Sequence, residues 1–416
     1  MRKKALSILV LCIVLGMAAS VQAVTIRHLG VSTSGQDEWL KEMARRFEEE
    51  TGIKVMIDAV LASGLEEHLI LASLSGTLPD AVSTSMAQPG LGELVVDLRP
   101  FIAKDPDFDL NAYAPAVWAD VVMPPQSPYV GAVVGLPYSL WTYGAAVNTI
   151  YFEEDGIDIP AAGWTWQDLR SLAIKLSKDE DGDGYYDRFG WSLRPTWTRM
   201  GVFLHHGGGQ WLDDPLFPQK SRVLDEAVRV TFDFVRELSE LGVVHFYDER
   251  GFARGVSAMS YEAGSTLPHT VGRFNSGVEF DYVPFAQGPS ANTGGELTVQ
   301  INSMLRTTEH PEETWEWLKF ISYNYENQVL LTQVDRIPAV TAAVQVYFQD
   351  MLTAEPSIIH LFNIIADPTS FSRPYGVTPV GDLIDTWIPR AIVTREISLD
   401  EALSQLDALI NVTLKK

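Results

Sequence analysis

Two hydrophobic periods alternate from residue 24 onward, and that alternation restricts the fold more than any other feature of the chain. Val24, Ile26 and His28 interleave with Thr25, Arg27 and Leu29 at the two-residue period of a half-buried strand. From Asp37 the period lengthens: Leu40, Met43, Ala44 and Phe47 fall on one helical face. Asp37 and Glu38 suit the positive helix start, and Gly52 suits the stop. Ile53, Val55 and Ile57 alternate again, a helix is predicted near Leu65–Leu74, and a short strand follows at Ala81-Val82. Strands alternating with helices imply parallel pairing with helices on both faces. Ligands of such open sheets sit beyond the carboxyl ends of the strands. The loops there run from Gly30 to Gln36 and from Ser83 to Gln88, and they make Ser34 and Thr84 candidate contacts.

A second α/β segment is expected from Gly135, with Leu136-Pro137-Tyr138 leading into Ala145-Ala146-Val147-Asn148. Thr165 and Asp168 form a variant capping box ahead of the stripe Leu169, Leu172, Ala173 and Leu176. Thr314, Trp317, Leu318 and Ile321 make a similar stripe. Ser398 and Glu401 open a last helix whose Ala402, Leu403, Leu406, Leu409 and Ile410 face inward.

The first residues read differently. Arg2, Lys3 and Lys4 precede an apolar stretch, Ala5 to Met17, that is too short to span a bilayer. Val21-Gln22-Ala23 then carries small residues at the positions a signal peptidase requires, so residues 1–23 are expected to be a secretory signal. The single cysteine, Cys12, lies inside it, in a context unlike a lipid-attachment site. The remaining 393 residues then lack disulfides and thiol chemistry and must rely on a large core. Formal net charge is −23, from 54 acids against 31 bases, and −26 once the signal is removed. Such acidity excludes nucleic acid and an anionic membrane surface as main partners. The expected location is the periplasm or the outer face of the cell membrane.

No motif for a metalloprotease, a nucleophile elbow, a dinucleotide fold or a phosphate loop occurs, and the eight histidines are scattered. One acidic run stands apart. Asp179, Asp181 and Asp183 alternate around Gly182 and Gly184, followed by Tyr185 and Asp187, with the spacing of a calcium loop. Three carboxylates, the Tyr185 carbonyl and Asp187 are the candidate ligands of a structural calcium. Gly190 stands where the usual bidentate Glu would be, and the plain alternative is a solvated acidic turn. Eleven tryptophans, several in loop-like contexts (Trp141, Trp164, Trp191, Trp197, Trp211, Trp387), suit sugar rings, which pack on aromatic planes while their hydroxyls need polar partners. For any single Trp, core packing is the competing reading.

In this order the motifs resemble the extracellular solute-binding proteins of ABC importers, in the maltose and multiple-sugar group. Leu71 to Val82 resembles that family's Ala-Ser-Gly…Pro-Asp-Val signature. Gly135-Leu136-Pro137 with Val147-Asn148 resembles its hinge region, and Trp164 to Leu169 a helix start. Asp181 to Gly184, Gly207 to Trp211, Phe252 to Met259 and Arg336 to Val340 continue the match across essentially the whole chain after residue 23.

The resemblance implies an α/β, two-lobed binding-protein fold of type II, each lobe a mixed sheet flanked by helices, with a hinge between them. It places one lobe at 24–138 plus 293–332 and the other at 139–292 plus 333–416. It implies capture of a carbohydrate, with a short oligosaccharide as the favoured ligand, by hinge closure. It further implies no catalysis, no required cofactor, delivery to ABC permease subunits, and a monomer. By position it suggests Trp197 and Arg194, Trp141 and Tyr138, the stretch Glu262, Gly264 and Ser265, and Tyr375 as contacts. The family's stacking Trp is absent from the Glu262–Thr266 stretch, and Thr84 and Ala87 stand where relatives often have Trp and Asp, which argues against a maltose-like ligand. The alternatives are a peptide, polyamine or phosphodiester in the same fold, or a secreted glycoside hydrolase with paired carboxylates.

Overall fold

A computed structural model describes residues 24–31, 36–61, 64–85, 91–214, 217–246, 251–264, 274–334, 336–372 and 378–415. The expected signal at 1–23 therefore lies outside the described residues, as do Ser34, Ser265 and Tyr375.

The strands are β1 (Thr25–Val31), β2 (Lys54–Val60), β3 (Ala81–Ser85), β4 (Leu136–Asn148), β5 (Trp191–Ser192), β6 (Val244–His245), β7 (Met259–Gly264), β8 (Phe280–Val283), β9 (Glu296–Met304), β10 (Ile337–Pro338) and β11 (Phe371–Ser372). The helices that matter below are α1 (Gln36–Thr51), α2 (Leu65–Ser75), α3 (Trp166–Leu176), α4 (Trp197–His206), α5 (Glu226–Glu240), α6 (Pro311–Ser322), α7 (Tyr325–Leu331), α8 (Thr341–Ala354), α9 (Thr378–Ile392) and α10 (Leu399–Thr413).

Pairing runs β2-β1-β3-β9-β4-β7-β5-β6, with β10 and β8 also on β4 and β11 on β9. β1 pairs in parallel with β2 and β3, as the strand–helix alternation requires. β4 then joins two sheets. Its residues 136–142 pair antiparallel with β9, whereas 143–147 pair with β7 on one side and 145–148 with β8 on the other. One continuous strand is thus shared by two lobes.

Local chemistry explains most element ends. Leu40, Met43, Ala44 and Phe47 are buried on α1, joined by Trp39. Gly52 stops that helix in the left-handed region, at φ 75°. Thr165 and Asp168 make the reciprocal capping box of α3. At α10 only half of the predicted box forms: Ser398 Oγ accepts from the Glu401 amide. Ala402, Leu403, Leu406 and Ile410 are buried there, but Leu409 lies at the edge of the stripe and is only half-buried.

Inside the first lobe, polar side chains form one connected network. Trp317 Nε1 donates to His28 Nδ1 at 2.9 Å, so the His28 proton sits on Nε2, which is 2.7 Å from Ser83 Oγ. Ser83 donates to Asn302 Oδ1 at 2.6 Å, and Asn302 Nδ2 donates to Ser322 Oγ at 3.0 Å. Every member has a partner, which is the condition for a buried polar network to be tolerated. Burial holds the His28 imidazole at a pKa of about 3, against an ordinary 6.5.

A depressed pKa in the fold means the unfolded chain takes up a proton that His28 refuses. Its contribution is complete above pH 6.5 and is lost as pH falls toward 3, at up to about 1.4 kcal/mol per pH unit. His28→Leu should therefore cost about 1–3 kcal/mol at pH 7.5 by leaving Trp317 and Ser83 short of partners. Denaturant titrations should show that deficit shrinking by pH 5; a pH-independent deficit would show that His28 is not held neutral.

Candidate functional site

The strands shared by the lobes have two unlike faces. Leu140, Leu297, Val299 and Ile301 are buried. On the other face Trp141 lies opposite Thr298 and Ser139 opposite Gln300, and strand alternation adds Tyr143 and Glu296. Trp141, Tyr143 and Gln300 are partly exposed, so this face forms a floor between the lobes. The floor owes its phase to a bulge. Pro137, which has no N–H to give a ladder, is followed by a register shift that makes Tyr138 the extra residue.

That shift sends Tyr138 into the first lobe. It is 1% exposed, stacks on Trp39 with ring centroids 6.1 Å apart, and its hydroxyl accepts from Gln36 Nε2. Burial raises its pKa above the ordinary range. Tyr138 thus supports the floor from below. Thr84 is also buried; it pairs with Ile301 on the covered face, while its neighbour Ser85 pairs with Gln300.

Trp141 and Tyr143 contact each other edge-on at 6.1 Å. Arg336 lies over the Trp141 ring at 5.4 Å and Arg199 over the Tyr143 ring at 3.6 Å. Trp141 Nε1 and Gln300 Oε1 have no partner among the described residues, leaving one donor and one acceptor at the floor.

Trp197 opens α4. Its amide donates to Asp385 Oδ1 of α9 at 2.5 Å, and Trp211 Nε1 donates to its carbonyl at 3.1 Å. A Cβ on Gly381 would lie 2.6 Å from Trp197 Nε1, so α9 and the indole touch directly. Burial raises the Asp385 carboxyl above the usual range, while the Trp197 amide and nearby Arg194 pull it down. Arg194 itself is exposed at the rim. Gly264 borders Tyr143 at the end of β7; Glu262 lies on the same strand, its side chain not among those described.

Beneath α4 lies a cavity of about 400 Å³ whose wall includes Trp197, Trp211, Phe371, His205, Asn292 and Glu296. Sequence reasoning reached Trp197 alone as a contact here. Glu296 and Phe371 meet because β11 pairs with β9 in register, a long-range pairing with no local signature. Of the other loop-like tryptophans, Trp164, Trp191 and Trp211 are buried.

The acidic run closes on itself. Lys178 bridges Arg188, and Asp179, Asp181 and Asp187 each bring a carboxylate oxygen within 4.8 Å of the others. Asp179 accepts from the Gly182 and Gly184 amides, and Asp187 from Glu180. Asp183, which accepts from the Tyr185 amide, is not among the three carboxylates that converge, and Tyr185 is exposed.

The family described as bacterial extracellular solute-binding proteins matches residues 31–322. No curated protein matches the chain in sequence. Among solved structures, an ABC substrate-binding protein from Listeria monocytogenes in complex with cycloalternan aligns with a TM-score of 0.76 at 18% identity, over 95% of this chain and 100% of that one. The cyclic alpha-maltosyl-1,6-maltose binding protein from Arthrobacter globiformis aligns with a TM-score of 0.78 at 17% identity, over 94% and 99%. The sugar-binding protein MalE from Xanthomonas citri gives 0.77 at 15%, over 94% and 98%. At these identities the structural likeness establishes the two-lobed fold.

Asp385→Ala should remove the acceptor at the start of α4 and lower stability by about 1 kcal/mol. Hydrogen exchange of the Trp197 amide should speed up, and Asp385→Asn should largely restore its protection. Unchanged exchange in the Ala variant would show that Asp385 does not hold this helix end.

Proposed function

The chain belongs to the bacterial extracellular solute-binding proteins, and on that premise we propose that it captures a carbohydrate, an oligosaccharide above all, between its lobes and presents it to the permease of an ABC importer. The observation that carries this reading is the floor shared by both lobes: paired aromatics, an unpartnered Trp141 donor and an unpartnered Gln300 acceptor, on strands common to the two halves. A sugar supplies what such a surface lacks, apolar ring faces bordered by hydroxyls that both donate and accept. The sugar complexes of structures with this fold support the ligand class.

Closure follows from the shared strands. A ligand touching both lobes stabilises the closed form by its differential affinity for that form, and hinge bending needs only a few residues to change. The lobe division at 24–138 plus 293–332 against 139–292 plus 333–416 is part of this proposal. So are secretion, to the periplasm or the outer face of the cell membrane, and a monomeric receptor without catalysis. Among the described residues no helix is long and apolar enough to cross a membrane.

We further propose that the loop holding Asp179, Asp181 and Asp187 takes a calcium ion that braces it, with no part in ligand capture.

Calorimetry should find an oligosaccharide binding with Kd in the micromolar range, about −8 kcal/mol. Silence toward every sugar, with tight binding of a peptide, amine or phosphodiester, would reject the ligand class. For the ion, calcium should raise the melting temperature over that in chelator; equal values would reject it.

A further inference from the structure

Gly294 and Gly295 stand where the chain leaves the second lobe for β9, and two consecutive glycines at such a crossing read as a flexible hinge. The structure gives another reason for them. Neither has φ in the left-handed region. Both are buried by a close approach: a Cβ on Gly294 would lie 2.3 Å from the Ser370 amide nitrogen, and one on Gly295 would lie 2.9 Å from Ile364 Cγ2. Only glycine lets the turn at 367–370, which follows the helix Ile359–Ala366, come this near.

That turn holds the crossing backbone by its polar groups. Thr369 Oγ1 donates to Asp367 Oδ1 at 2.7 Å and accepts from the Thr293 and Gly294 amides at 3.1 and 2.8 Å, so its proton and both lone pairs are used. Thr293 Oγ1 donates to Asp367 Oδ2 at 2.7 Å. The Gly295 amide donates to Ser370 Oγ at 3.2 Å, and the Gly295 carbonyl accepts from the Phe371 amide at 3.1 Å. From the end of α4, His206 Nε2 donates to the Gly294 carbonyl at 2.9 Å. Burial pushes the Asp367 carboxyl up, but the bonds from Thr369 and Thr293 and the nearby His205 outweigh it and hold it below the usual range. β11 carries the attachment on, pairing Phe371 with Glu296 and Ser372 with Leu297. Beyond Leu297 the partners of β9 are β3 and β4, and there the β4 ladder is broken by the bulge at Tyr138, opposite Gln300 and Ile301.

We propose that the Asp367–Ser370 turn is a strap that fastens the crossing strand to the second lobe, so that Gly294-Gly295 is not the hinge and the lobes bend beyond Leu297, toward the Tyr138 bulge. The inference rests on the two-lobe closure proposed above. Thr298 and Gln300 then belong to the bending segment, and a solute on the floor sits against the pivot itself. Asp367 and Thr369 are positioning residues, acting through the strand they hold.

Amide hydrogen exchange on the free protein tests the strap. Spin labels on α2 and α5 report the distance between lobes, and labels on α5 and α10 report the second lobe alone. In wild type the Gly294 and Gly295 amides should be as protected as those of β9 beyond them. Thr369→Val keeps the shape of the side chain and removes its hydroxyl. It should speed exchange of the Gly294 amide about three- to tenfold, the effect of one net hydrogen bond. It should also broaden the distance distribution between the lobes and leave the one within the second lobe unchanged. Thr369→Ser should restore both readings. If Thr369→Val misfolds, Ser370→Ala, which removes the acceptor of the Gly295 amide, should speed that amide and broaden the same distribution. Fast exchange of both glycine amides in wild type overturns the strap. So does a folded variant whose distribution between lobes matches wild type, and so does equal broadening of both label pairs. No sugar enters the experiment, so its failure is separate from failure of the ligand class or of closure on a solute.

Discussion

The pairing of β4 with β9 is the interaction on which the rest of the structure depends. Thirteen residues of β4 run from one sheet into the next, and β9 lies beside its first half. Because antiparallel partners keep their side chains on a common face, this ladder sorts residues into two sets. Leu140, Leu297 and Val299 hold the lobes together from behind, and Trp141, Tyr143, Thr298 and Gln300 form the floor in front. A slip of one residue would exchange the sets. The bulge at Tyr138 fixes the phase, and the buried contacts of Tyr138 with Trp39 and Gln36 fix the bulge. Receptor function therefore depends on a buried tyrosine that need not touch the solute.

Much of the fold was legible because it rests on local periodicity. The stripes of α1, α3 and α6 and the capping box at Thr165 need only neighbours within a few residues, and the folded chain contains them. β4 was not legible as one strand. Its sequence includes Pro137 and Gly144 and lacks clean alternation, because the first half meets one set of partners and the second half another. β2 shows a different limit: its apolar residues alternate in sequence, yet only Val55 is buried, since the strand lies at the sheet edge.

The site was legible in part. Aromatic residues in loop-like contexts pointed to Trp141 and Trp197, and both are half-buried at the floor or beside the cavity. Arg199, Gln300, Glu296 and Phe371 have no local feature that sets them apart. Gln300, Glu296 and Phe371 come together through pairings that span 75 to more than 150 residues of chain, and Arg199 reaches Tyr143 from 56 residues away, which composition and spacing do not encode. The same holds for His28, whose place in a strand is evident but whose partners Ser83 and Trp317, and the Asn302 that Ser83 bonds, arrive from three distant segments.

Net charge of −23 and a floor crossed by Arg199 and Arg336 are compatible, because overall charge governs solubility and the site is governed by its neighbours. The central claim is that two rigid lobes joined by shared strands close on a solute. Paired spin labels at exposed positions, one on α2 and one on α5, measure it directly. Saturating a tight-binding oligosaccharide should shorten and narrow the distance distribution between them. A distribution that does not change on saturation would contradict closure and with it the receptor mechanism.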